Sequence, residues 1–254
     1  MRLIALAMLL LTTSCSGMTN PLAAMGNPFS GLAGSFKPPP DQNLQLARAA
    51  TTSGSPDTAL QLVQSVLTRK PGDPEALIVQ GDALMALNRG EEAEASYRRA
   101  VTADPQSVEA PLGIGRAKLL AGDAAAAEVA FRAVVAKHPL EARASNDLGI
   151  ALDLQGSHGP AQAAYRAALA SAPGMAGARV NLGLSLALSG DSTGAIGILR
   201  PLAADPQATP RVRHDLAAAL TLAGDQQSAT RLLEPDMTHD QVKLALAGFQ
   251  ALRP

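Results

Sequence analysis

Apolar residues recur along most of the chain at the spacing of amphipathic helices. Leu148 and Leu152 lie one helical turn apart, and Leu182 and Leu186 repeat this pair 34 residues later. The same period continues through six segments without an insertion, and these segments begin at Pro40, Pro74, Val108, Ala142, Ala176 and Pro210. The twentieth residue of every segment is alanine: Ala59, Ala93, Ala127, Ala161, Ala195 and Ala229. The pattern predicts six copies of one helical unit.

A signal for a turn divides each segment into two helices. The fifteenth residue is glycine in five segments and Asn88 in the second, and both residue types tolerate the left-handed backbone that ends a helix. In five segments the following residue has a side chain that can accept hydrogen bonds from the first N–H groups of a new helix: Ser55, Asp123, Ser157, Asp191 and Asp225. Each segment is therefore predicted to be a helical hairpin.

Hairpins of such short helices need neighbours to remain folded. Helices of about 12–14 residues are marginal alone in water, so each hairpin must bury its apolar side against the next copy. The period, the small residues at positions eight and twenty, and the central turn resemble the tetratricopeptide repeat. The resemblance implies an all-α, right-handed superhelical solenoid over residues 40–243, with six repeats at 40–73, 74–107, 108–141, 142–175, 176–209 and 210–243.

Prolines modify the last two repeats. Pro201 falls inside the second helix of the fifth repeat, which predicts that this helix is short or kinked. A C-terminal capping helix is predicted at 238–252, overlapping the end of the sixth repeat, because Thr238 and Gln241 have the spacing of a capping box. Its apolar residues are predicted to cover the end of the stack: Val242, Leu244, Leu246 and Phe249.

The N-terminus has the pattern of an export signal. Arg2 precedes a nine-residue apolar run, and small residues lead to Cys15, the only cysteine of the chain. This arrangement resembles the bacterial lipobox, which implies a signal peptide at 1–14 and acylation of Cys15. Ser16 resembles the residue that follows the cysteine in lipoproteins forwarded to the outer membrane. The segment 15–39 is rich in glycine and proline and is predicted to be a flexible tether. The alternative is an ordinary cleaved signal with an incidental cysteine.

Composition and motifs argue against several functions. The chain has 21 basic and 22 acidic residues, two tyrosines, four phenylalanines and no tryptophan, so it lacks the charge and the rings that nucleic-acid binding needs. Its four histidines are not paired at metal-ligand spacing, and we interpret them as surface residues. Phosphate-binding and nucleophile motifs are missing as well. We therefore expect no catalytic, cofactor or metal site, no small-molecule substrate and no enzymatic activity.

The tetratricopeptide resemblance implies a groove lined by the first helix of each repeat, mainly at positions two, five, nine and twelve. An apolar groove with isolated charges suits an extended or amphipathic segment of a partner protein. One alternative is that Arg48, Asp82 and Arg116 pair with one another; another is that the apolar row packs between repeats. The candidate groove residues are Leu44, Arg48, Ile78, Asp82, Met85, Leu112, Arg116, Leu119, Asn146, Ile150, Asp153, Val180 and Leu184.

Residues 148–169, 181–203 and 209–225 are similar to the tetratricopeptide lipoproteins of tight-adherence (Flp-type) pilus operons. Arg-Pro-Leu-Ala at 200–203 and Thr-Pro-Arg-Val-Arg at 209–213 are the most distinctive parts, since the general repeat consensus predicts neither. The resemblance implies a periplasm-facing outer-membrane protein, held only by its lipid, that binds the pilus secretin or another component of the machinery and assists secretin assembly. The alternatives are a cell-wall adaptor that recruits murein enzymes and a periplasmic chaperone for exported proteins.

Overall fold

The structure is a computed structural model that describes residues 40–252. The predicted signal peptide, Cys15 and the tether at 15–39 lie outside the described residues. Between residues 40 and 252 the chain forms thirteen α-helices and no strands, in the arrangement of a tetratricopeptide solenoid. The predicted fold class is confirmed.

The described residues divide into two compact units, 40–121 and 122–252. In the first unit, consecutive helices pack as hairpins, and each first helix of a hairpin also packs on the first helix of the next. The helices of this unit are α1 Pro40–Thr52, α2 Pro56–Arg69, α3 Pro74–Ala86, α4 Gly90–Ala103 and α5 Glu109–Leu120.

The second unit follows the same plan and ends in an additional helix. Here α7, α9 and α11 are the first helices of the fourth, fifth and sixth repeats; α7 packs on α9, and α9 packs on α11. The helices of this unit are α6 Ala124–Lys137, α7 Ala142–Leu154, α8 His158–Ser171, α9 Ala176–Leu188, α10 Ser192–Ala203, α11 Pro210–Leu222, α12 Gln226–Leu233 and α13 His239–Gln250.

The turns within the repeats have the predicted left-handed residues. Asn88 has φ of 59°, and positive φ is found at the five equivalent glycines, from Gly54 to Gly224. Asp123, Asp191 and Asp225 accept the N-cap hydrogen bonds expected of them, in each case from the backbone N–H three residues on.

The serine caps were predicted wrongly. The side chains of Ser55 and Ser157 make no capping hydrogen bond. At Ser55 the helix begins with Pro56, whose fixed φ suits the first helical turn and whose missing N–H removes one donor that would need a cap.

Large side chains of the second helices pack directly against glycines of the first helices. The ring of Tyr97 in α4 lies against Gly81 and Gly113, and a Cβ built at either glycine would be 2.5 Å from the Tyr97 Cε1 atom. Tyr165 in α8 lies against Gly149 in the same way, and Leu199 does so against Gly183. These large side chains therefore occupy the volume that a side chain would fill if the glycine were another residue.

The C-terminal part differs in detail from the prediction. The helix α10 continues through Pro201 to Ala203 but has 12 residues, compared with 14 in α8. The predicted capping box is confirmed, since Thr238 and Gln241 bond to each other's backbone N–H groups. Val242 and Phe249 are buried, whereas Leu244 is 76% exposed and does not cover the stack. Two residues apart on a helix, Val242 and Leu244 point about 200° apart, so they cannot both face inward.

Replacing Gly149 by alanine should destabilise the protein, because the new methyl group would overlap the buried ring of Tyr165. Overpacking of this kind costs about 1–3 kcal/mol. Gly197→Ala is the matched control, since Gly197 is an exposed helical residue with open space around it. That change should raise stability by about 0.5–1 kcal/mol. Urea unfolding followed by circular dichroism measures both, and equal effects of the two changes would contradict the packing argument.

Candidate functional site

The predicted groove residues differ widely in exposure. Leu112 has no exposed surface, and Leu44 and Val180 expose less than a tenth of theirs. The burial of these three side chains is consistent with the alternative that the apolar row packs between repeats. Two of the thirteen predicted residues, Arg48 and Asp82, are exposed, and the remaining ones are partly exposed apart from Asn146. The prediction that these thirteen residues contact a partner protein stays a prediction.

Two charged groove residues of the first unit, Arg48 and Asp82, have partners within the protein. A guanidinium nitrogen of Arg48 lies 3.0 Å from a carboxylate oxygen of Glu75. The Tyr97 hydroxyl donates a hydrogen bond of 2.7 Å to Asp82. The pKa of Asp82 lies above its ordinary value because surrounding protein displaces part of the water around the carboxylate, while the Tyr97 bond and the charge of Arg116 act in the opposite direction. Arg48 and Asp82 are therefore already engaged in contacts within the first unit.

In the second unit, Asp153 joins three helices through hydrogen bonds. Its Oδ1 accepts from the Ser185 hydroxyl at 2.7 Å and lies 2.8 Å from Nδ1 of His158. Its Oδ2 accepts from the Tyr165 hydroxyl at 2.9 Å. Burial raises the pKa of Asp153, and these hydrogen bonds partly offset the rise. We call Asp153, His158, Tyr165 and Ser185 the carboxylate cluster.

A second set of polar side chains runs across the first helices of the last three repeats. Asn181 Nδ2 donates to Asn146 Oδ1 at 3.0 Å, and Arg211 donates to Asn181 Oδ1 at 2.9 Å. At the other end, Asn146 Nδ2 donates to Asp147 at 3.1 Å. Both asparagines and Asp147 are buried. We call Asn146, Asp147, Asn181 and Arg211 the polar row.

The polar row has hydrogen-bonding capacity beyond these contacts. An asparagine amide carries two N–H donors, and the bonds described above use one from each amide. Ile150 lies one helical turn after Asn146, and Leu184 lies three residues after Asn181, so partly exposed apolar side chains share the same side of α7 and α9. The arrangement combines amide donors with apolar surface, as recognition of an extended polypeptide requires.

Several residues of these two sets were not predicted from the sequence. Our interpretation of all four histidines as surface residues missed the contact of His158 with Asp153. A signal for the polar row exists at the sixth position of the repeats. This position is an exposed Gln45 in the first repeat, Val79 in the second and Gly113 in the third, whereas in the last three it is both polar and buried: Asp147, Asn181 and Asp215. Polar residues at a buried position of a repeat indicate that its environment has changed.

The described residues hold neither a metal-binding group nor a membrane-spanning helix. No group of three or more His, Cys, Asp or Glu side chains in this range is arranged to hold a metal ion. None of the helices in the same range has both the length and the apolar character needed to cross a membrane.

Two family models described as tetratricopeptide repeat match the chain. One matches residues 44–108 and 160–209, and the other matches residues 84–148. The chain is therefore built of tetratricopeptide repeats, a class of proteins that generally serve as non-enzymatic scaffolds for protein–protein interaction. No curated protein sequence matches this chain significantly.

Solved structures with similar folds include proteins of pilus biogenesis. The crystal structure of PilW, described as a widely conserved type IV pilus biogenesis factor, has a TM-score of 0.72 and 19% identity, with 82% of this chain and 99% of that chain covered. PilF of Pseudomonas aeruginosa has a TM-score of 0.67 and 15% identity, with 84% and 96% covered. A MamA protein has a TM-score of 0.52 and 25% identity, with 63% and 88% covered. The pilus proteins share the fold of this chain.

Replacing Tyr165 by phenylalanine should destabilise the carboxylate cluster. The change removes a donor to the largely buried carboxylate of Asp153, and such a bond to a charged group contributes about 1.5–3 kcal/mol. Because the bond favours the ionised carboxylate, the loss should be larger at pH 7 than at pH 4. The free energy of unfolding in urea measures the effect.

The matching double-mutant cycle uses Asp153→Asn. In that background Tyr165→Phe should cost less than in the native protein, because the acceptor is no longer charged. If Tyr165→Phe lowers the free energy of unfolding equally in both backgrounds, the Tyr165 hydroxyl stabilises the protein independently of Asp153.

Proposed function

We propose that this protein is an outer-membrane lipoprotein, acylated at Cys15 and facing the periplasm, that acts as a scaffold in the biogenesis of a tight-adherence pilus. Its repeats bind a segment of another protein of the machinery, and the pilus secretin during assembly is the partner we favour. The lipid holds the protein at the membrane, and the segment 15–39 links the lipid to the repeats.

The binding part of the proposal rests on the polar row. Burying amide side chains is costly unless they are hydrogen-bonded, and apolar residues occupy the equivalent position in the second and third repeats. The two asparagines retain donors that suit the carbonyl groups of an extended segment. Ile150 and Leu184 beside them offer apolar contacts. We therefore place the partner on the first helices of the fourth to sixth repeats.

Two observations support the pilus assignment. The stretch 209–213, which is among the most distinctive parts of the resemblance to tight-adherence lipoproteins, contributes Arg211 to the polar row. PilW has a similar fold and is described as a type IV pilus biogenesis factor. A scaffold with repeats of this kind is consistent with a role in assembling other proteins.

Site-specific photocrosslinking in cells tests the partner. Photoreactive residues at Ile150 and Leu184 should capture a pilus component, identified by mass spectrometry, because both side chains are partly exposed beside the polar row. Leu112 is unsuitable since it is fully buried. Val129 and Leu244, which are 70% and 76% exposed outside the candidate groove, are the control positions and should yield several-fold less of the same product.

Other crosslinking outcomes would contradict the proposal. Equal capture from the control positions would argue against the groove. Capture of murein enzymes, or of a range of exported proteins, would favour the cell-wall adaptor or the chaperone instead.

Cys15→Ala should release the protein from membranes without affecting the fold of the repeats. The change removes the thiol that would carry the acyl chains, and stable anchoring needs two or more such chains. Membrane fractionation and metabolic labelling with a fatty acid measure the effect, and Ser16→Ala is the control for labelling. Unchanged fractionation together with no labelling of the native protein would refute the anchor.

A further inference from the structure

Asp215 is a buried carboxyl group with an unsatisfied oxygen. The residue lies on α11 at the sixth position of the last repeat and is 1% exposed. Its Oδ2 has no hydrogen-bond partner, and the Nε atom of Arg211 lies 3.7 Å from it, which is too far for a hydrogen bond. A buried carboxylate normally acquires such partners, so its stability cost calls for an explanation.

Arg211 lies between two acceptors. Its Nη2 donates to Asn181 Oδ1 at 2.9 Å, while its Nε faces Asp215. Half of the Arg211 side chain is exposed. A small movement of the guanidinium toward Asp215 would close the 3.7 Å gap and withdraw positive charge from the exposed side.

The other charged groups around α11 do not act measurably on the Asp215 carboxyl group. On α11 itself, Arg213 is paired with Asp236, and burial lowers the pKa of the neighbouring His214. Of the charges in the described part of the chain, Arg211 is the one that acts on Asp215. The helices packed against α11 carry the following charged or titratable residues: Arg179 on α9, Arg200 on α10, Arg231 on α12, and His239, Asp240 and Lys243 on α13.

We propose that Asp215 is a proton-controlled latch on Arg211. When Asp215 is neutral, the guanidinium stays on Asn181 and remains accessible from the groove. When Asp215 is ionised, the unsatisfied carboxylate draws the guanidinium inward and holds it by a charge-assisted hydrogen bond.

Asp215 is expected to change between its neutral and ionised forms within the physiological range of pH. Burial raises the pKa of Asp215 to about 7, and Arg211 opposes the rise. Below that value the folded protein holds a neutral Asp215; above it, ionisation strengthens the pull on Arg211. If the proposed function is right, a carboxylate-bearing partner segment should bind the polar row more tightly at pH 6 than at pH 8. That consequence depends on the proposed function, whereas the latch does not.

Nitrogen NMR of the Arg211 side chain in the intact protein tests the latch without any partner. The Nε–Hε signal, assigned by its loss in Arg211→Lys, should shift between pH 5.5 and 8.5 with one midpoint near 7. In Asp215→Asn the shift should disappear, because the replacement cannot ionise. Asp240→Asn and His214→Gln are controls that remove an exposed carboxyl group and the neighbouring imidazole, and both should retain the transition.

Either of two results would overturn the proposal: an Arg211 signal that does not change with pH in the native protein, or a transition that persists in Asp215→Asn. Circular dichroism establishes whether Asp215→Asn is folded. If the variant is not folded, carbon NMR of the Asp215 carboxyl group, recorded over a range of pH in the native protein, replaces that comparison. A titration midpoint below pH 5 would overturn the proposal, because Asp215 would then stay ionised near neutral pH.

Discussion

The close approach of a tyrosine ring to a glycine, found in the hairpins of the second and fourth repeats, is the contact on which the two units depend. The helices are too short to be stable alone, so their stability comes from burying one side against neighbours. Tyr97 packs on the bare backbone at Gly81 and Gly113, and Tyr165 does the same at Gly149. These rings set how near the two helices lie, and the hydroxyl groups at their far ends reach Asp82 and Asp153. The same residues that close the hairpins therefore also hold polar groups near the surface of the first helices.

Both units contain paired polar side chains, and the second unit also has a row of buried polar residues that bond between repeats. In residues 40–121, charges pair with each other or with a hydroxyl group, as in Arg48 with Glu75 and Asp82 with Tyr97. In residues 122–252, the buried amides of Asn146 and Asn181 and the guanidinium of Arg211 also bond from one repeat to the next. Since apolar side chains could fill the same positions at lower cost, stability alone does not account for the polar row. Its chemistry favours the second unit as the place where a partner is recognised.

Asp215 illustrates how position within the repeat changes the chemistry of a residue. The two other polar residues at the sixth position, Asp147 and Asn181, have hydrogen-bond partners. Asp215 has one unsatisfied oxygen and a nearby guanidinium that is already bonded to Asn181. A group that is poorly satisfied where its neighbours are well satisfied suits control of a movable side chain better than structural support. The latch that we propose would place regulation at a repeat position that serves packing in other copies.

The amino-acid sequence determined the repeat, because a 34-residue period with glycine or Asn88 at each central turn permits few arrangements other than stacked hairpins. It also determined the left-handed turn residues, the aspartate caps and the box at Thr238, all of which depend on residues close together in the chain. Only the tertiary structure decided which side chains meet between repeats. The pairing of His158 with Asp153, the burial of Leu112 and the exposure of Leu244 depend on how each helix is rotated against its neighbours. The period of a sequence indicates which residues lie on a helix face only to within a residue or two. A hydrogen bond or a buried atom depends on the rotation of the helix about its axis to within a fraction of a turn.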